Sequence, residues 1–84
     1  MPKAIYRREH EILVHLLKKL RVAAGLTQAK CAQAMGHPQS FISDIEQGVR
    51  RLDLVQLRDL CEVLGCDLRS FINLYEDALT KDSQ

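Results

Sequence analysis

Apolar residues along this chain recur at intervals of three and four, the spacing that lines side chains along one face of an α-helix. Between Glu9 and Ala24 the stripe is Leu13, Leu16, Leu17 and Leu20, with Lys18, Lys19 and Arg21 on other faces, which predicts a first helix over 9–24. Gly25 closes it at the position after the helix end, where glycine adopts a left-handed backbone at least cost, and Thr27 is placed to cap the next helix. That second helix, over 28–35, is only about two turns long, because Gly36-His37-Pro38 interrupts it. A third short helix is expected over 38–47, with Pro38 in its first turn, Ile42 and Ile45 facing inward, and Gln39, Ser40, Ser43 and Asp44 facing out.

After Gly48 a loop over 49–52 carries the adjacent bases Arg50 and Arg51, and Asp53 caps a fourth helix over 54–64. Leu54, Leu57, Leu60, Cys61 and Leu64 form its stripe, which Gly65 ends. A fifth helix over 68–79 follows Asp67, with Leu68, Phe71, Ile72, Tyr75 and Leu79 as its apolar face, and 80–84 is expected to be a polar, frayed end. No segment alternates as a strand would. The pattern as a whole predicts an all-α chain, a compact five-helix bundle forming a single domain over 1–84.

Two short helices joined by a glycine turn, the second apolar inward and amide-rich outward, have the proportions of an element that lies in a DNA groove. The landmarks Gly25-Leu26-Thr27-Gln28, Gly36, Gln39-Ser40-Phe41-Ile42-Ser43, Ile45-Glu46-Gln47-Gly48 and Arg50-Arg51-Leu52-Asp53 sharpen this considerably. In order and spacing they resemble the Cro and phage-repressor type of helix-turn-helix regulator, the XRE family with its lambda-repressor-like fold, over roughly Leu13 to Leu68. The resemblance implies double-stranded DNA as partner, a homodimer on a two-fold operator, and transcriptional regulation, most simply repression, with no enzymatic activity and no cofactor. It assigns Gln28 to a phosphate and to bracing Gln39. Gln39, Ser40 and Asp44 fall at base edges, and Ser43, Arg50 and Arg51 fall near phosphates. It also pairs Arg21 with Glu46 in a salt bridge that orients the third helix.

Residue chemistry agrees with these assignments. The amide of Gln39 offers a donor and an acceptor together, which suits adenine N6 and N7, whereas Ser40 discriminates little between bases. Phe41 replaces the small polar residue of many relatives and either packs on a thymine methyl or covers the core, the second being favoured. Asp44 departs furthest from the pattern, since a carboxylate is repelled by phosphates and finds a base donor only at cytosine N4.

Net charge is only +1, but residues 1–30 carry seven Lys and Arg against two Glu, and residues 61–84 carry two against five acids. The positive field therefore lies toward the amino-terminal half, as a polyanion partner or a merely solvated face would have it. Cys31, Cys61 and Cys66 form no CxxC pair and are expected as reduced thiols at apolar positions, and with His10, His15 and His37 they make no recognisable metal-binding pattern. No run of apolar residues is long enough to span a membrane and no secretion signal opens the chain, so a cytoplasmic protein is expected. The fifth helix carries more apolar residues than one stripe needs, which nominates Phe71, Leu74, Tyr75 and Leu79 for a dimer surface. The same surplus is what a protein partner would use, and a protein-interaction module with weak DNA binding is the alternative reading.

Overall fold

A computed structural model describes residues 7–82. Its helices are α1 (Arg8–Ala23), α2 (Gln28–Ala34), α3 (Gln39–Glu46), α4 (Leu54–Leu64) and α5 (Leu68–Asp82), and the described residues contain no strand. Side-chain caps fix three of the starts. Thr27 Oγ1 accepts the Lys30 N–H at 3.0 Å and Asp67 Oδ1 accepts that of Ser70 at 2.7 Å. Asp53 and Gln56 form a reciprocal capping box at α4, with bonds of 2.7 and 3.1 Å. Pro38 stands at the N-cap of α3 rather than inside its first turn as the sequence pattern suggested. At ψ 159° its backbone is extended, as an N-cap requires, and its fixed φ suits that position equally well.

The short hinge between α2 and α3 turns on Gly36, whose φ of 75° lies in the left-handed region. A Cβ placed there would meet no atom within 4 Å, so the demand for glycine comes from the sign of φ and not from crowding. Across this turn α2 and α3 pack directly on each other. Helix α1 lies against α3 and α5, and α4 against α5 and α2.

One continuous core results, formed by Leu17, Cys31, Ala32, Phe41, Ile42, Ile45, Leu60, Cys61, Leu64 and Phe71. Phe71 is its centre at 0 % exposure. Its nomination for a dimer surface is therefore corrected: α5 packs on both α1 and α4, and the face that meets them contains Phe71. Leu54 is corrected in the opposite sense. It keeps the three-residue spacing to Leu57 but is 65 % exposed, because it is the first residue of α4 and overhangs the end of the core.

Helix α5 also runs further than expected, since residues 80–82 continue it instead of fraying. The Arg8 guanidinium donates to both carboxylate oxygens of Asp82 at 2.8–3.1 Å, and Thr80 Oγ1 donates to the Glu76 carbonyl at 3.0 Å. Polarity alone marks this segment as a loose end, whereas a long-range ion pair ties it to the start of α1; residues 83–84 lie outside the described range. Tyr75, half-buried, adds a second tie between these helices by donating its hydroxyl to the Glu9 carbonyl at 3.1 Å. Among the described residues no helix is long and apolar enough to cross a membrane.

Candidate nucleic-acid interface

The inner side of α3 is anchored by Ile42 and Ile45, and helical geometry then turns Gln39 and Ser40 toward solvent at its amino-terminal end. A polar chain behind the helix sets its orientation. Arg21 of α1 donates to Glu46, the last residue of α3, through Nε to Oε2 at 2.6 Å and Nη2 to Oε1 at 3.1 Å. Its third nitrogen, Nη1, donates to the Leu26 carbonyl at 2.7 Å. The two side chains retain only 12 % and 7 % exposure, so the pair is nearly removed from water, and the Glu46 hydrogen bond holds the Arg21 pKa above its ordinary value.

Gln28, the first residue of α2, extends the chain outward. Its Nε2 donates to Glu46 Oε1 at 2.9 Å, and its Oε1 accepts from Gln39 Nε2 at a longer 3.4 Å. The first residue of α3 is thereby connected to α1 through α2, while Gln39 keeps its Oε1 and a second amide hydrogen for an external group. The Gln28–Gln39 contact joins the two residues that the family resemblance pairs. The Gln28–Glu46 bond has no signal in the local pattern, because it joins positions 18 residues apart that become neighbours only when α2 and α3 pack.

Ser40 is exposed beside Gln39, and Asp44 and Ser43 are half-exposed further along the same helix. The Ser43 hydroxyl accepts from Gln47 Nε2 at 3.2 Å. Phe41 does not join this surface. At 5 % exposure its ring is core, so the option of packing on a thymine methyl is removed. The ring is stacked with the His37 imidazole at a centroid distance of 3.9 Å and an interplanar angle of 9°, and the Arg50 guanidinium carbon lies 4.7 Å from its centroid. The adjacent Arg51 diverges from Arg50 and lines a cleft of about 410 Å³ with Arg7, His10, Leu13 and Tyr75. The sequence pattern gives His37 a place only in the Gly36-His37-Pro38 break between the two helices. Its spacing of four from Phe41 was the available signal, since residues at i and i+4 are apposed on a helix and often where a turn leads into one.

A glycine-hinged pair of short helices, the second braced from behind and bearing open amide and hydroxyl groups in front, defines a helix-turn-helix module. The chain belongs to the helix-turn-helix family, whose model matches residues 17–71, and it is similar to XRE-family proteins. An XRE-family like protein from Pseudomonas syringae pv. tomato is 38% identical, with 82% of this chain and 84% of that one covered and a TM-score of 0.77. The fold is shared with the restriction-modification controller protein C.Esp1396I, solved as a tetramer with its natural 35 base-pair operator (22% identity, 88% and 97% coverage, TM-score 0.80). It is shared also with the clp gene regulator ClgR from Corynebacterium glutamicum (19% identity, 92% and 82% coverage, TM-score 0.80). A search of curated proteins gives no significant match.

Proposed function

We propose that this protein is a sequence-specific DNA-binding transcriptional regulator that occupies an operator as a homodimer and represses by blocking access to the promoter. The observation that carries the reading is the contrast between the two sides of α3. Its back is fixed by the Arg21–Glu46–Gln28 chain, and its front presents Gln39 and Ser40 without a competing internal use for most of their hydrogen-bonding capacity. A rigid helix with open donors and acceptors is what reading base edges in the major groove requires. The operator complex of C.Esp1396I, a protein of the same fold, supports the choice of ligand. Acting on DNA, the protein would work in the cytoplasm.

In this scheme Gln39 reads adenine, Ser40 touches a neighbouring base, and Asp44 accepts from cytosine N4, while Ser43, Arg50 and Arg51 face phosphates. The dimer surface is assigned to the outer side of α5 around Leu74 and Ile72, which are exposed, with Tyr75 and Leu79 at its inner edge. Selection of bound duplexes from a random pool tests the reading. The wild type is expected to enrich a palindromic motif that a Gln39→Ala, Ser40→Ala double variant loses. Asp44→Asn should change the preferred base at one position per half-site. Absence of any enriched motif with folded wild-type protein overturns the proposal.

A further inference from the structure

Phe41 is the one aromatic ring of α3, and its surroundings are unusual for a core residue. The His37 ring lies almost parallel to it at 3.9 Å and so stacks on one face. The Arg50 guanidinium at 4.7 Å must take the other. A ring serving only to fill the core would be covered by apolar side chains, whereas here both faces carry groups that donate hydrogen bonds.

Those groups keep their donors open. Neither ring nitrogen of His37 is buried or engaged within the described residues, and Arg50 makes no ion pair among them. Their backbones are fixed as well. The His37 N–H donates to the Ala32 carbonyl at 2.9 Å, and the Arg50 N–H donates to the carbonyl of Asp44, on α3, at 3.2 Å. Each group is thus held twice, by main chain and by stacking, one at the turn that leads into α3 and one at the loop that leaves it.

We infer that Phe41 is a positioning residue for DNA contact, holding His37 and Arg50 on its two faces so that both meet the phosphate backbone alongside α3, and that His37 is itself a DNA-contacting residue. The inference rests on the DNA-binding reading above. Its physical content is preorganisation. An unrestrained arginine loses much rotamer freedom when it engages a phosphate, and one already flat against a ring has lost it beforehand. Stacking also leaves the guanidinium edge, with its hydrogen-bond donors, directed away from the ring plane contact and available to an anion.

The test measures binding to a mixed-sequence duplex, long enough for two half-sites, at roughly 50 to 200 mM salt, because phosphate contacts act on any sequence and appear in the salt dependence. Neither His37→Ala nor Arg50→Gln removes a side chain of the apolar core itself; Arg50→Gln is expected to lower the slope of log affinity against log salt by about one, and His37→Ala to weaken binding without that change of slope. Arg50→Gln should weaken binding about tenfold in the wild type and much less in a Phe41→Leu background, a coupling that lost core packing alone would not produce. Restoring a ring with Phe41→Tyr should restore the coupling. In the free protein, ring-current shifts on the His37 imidazole and Arg50 δ protons report the stack directly.

An unchanged salt slope in Arg50→Gln, unchanged affinity in His37→Ala, or additive effects of Phe41→Leu and Arg50→Gln overturn the inference while leaving DNA binding intact. Should Phe41→Leu fail to fold, the two single variants and the ring-current shifts still decide. A wild type that binds the duplex without salt dependence overturns the DNA reading and this inference with it.

Discussion

At the residue scale the decisive feature is the nearly buried Arg21–Glu46 pair and the amide joined to it. Burying two opposite charges brings little net stability, since the desolvation cost is comparable to the attraction, but removing one partner strands the other. Glu46→Ala leaves the Arg21 guanidinium with the Leu26 carbonyl alone and deprives Gln28 of its acceptor. The expected loss is about 3 to 5 kcal/mol of unfolding free energy, measured from the denaturant midpoint at unchanged m-value. The cysteines illustrate the same low-dielectric interior. Burial pushes the Cys61 thiol up to about 12, with the neighbouring Cys66 adding to the effect, and burial raises Cys31 as well. Both remain protonated at neutral pH and serve as small apolar core residues.

At the element scale the ends of the helices matter more than their middles. The capping box at Asp53 gives α4 a defined start, so the loop over 49–52 is fixed at both ends and Arg50 leaves α3 on a set path. At the other end of the chain, the last turn of α5 depends on the Arg8–Asp82 pair. Hydrogen bonding to Arg8 holds the Asp82 carboxyl below its ordinary pKa. A carboxyl lowered on folding contributes stability that is present above the unfolded value and is lost as pH falls through the folded one. Acidification through that window should therefore loosen the α5 terminus before the core responds. Asp82→Asn should produce the same loosening at neutral pH, seen as faster amide exchange over 79–82 with the exchange of α2 and α3 unaltered.

At the scale of the whole molecule the bundle separates two tasks. Helices α2 and α3 form the face assigned to DNA, and α5 lies against α1 on another side, with its outer surface open around Ile72 and Leu74. A charged residue placed at Leu74 tests whether that surface joins two copies, because it leaves the core and the recognition helix untouched. Leu74→Glu should shift the protein to a monomer by sedimentation and weaken operator binding by at least about tenfold, as one half-site is lost from a two-site contact. A variant that stays dimeric and binds normally would place the interface elsewhere, with exposed Leu54 and Val55 at the start of α4 as the next apolar surface.

Local sequence determined the helices, because periodic leucines, caps at Thr27 and Asp53, and glycines able to take a positive φ are short-range signals that act before any packing. The same information placed Gln39 and Ser40 outward and Ile42 and Ile45 inward. Tertiary structure decided whatever depends on partners distant along the chain. It drew Phe71 wholly into the core, left Leu54 beyond the core's edge, and used Asp82 to extend a helix that polarity alone would have ended. It also brought Gln28 to Glu46 and set His37, Phe41 and Arg50 in one stack. Periodicity fixes which face a residue occupies on its own helix, but what covers that face is set by the packing of helices whose contacts lie far apart in sequence.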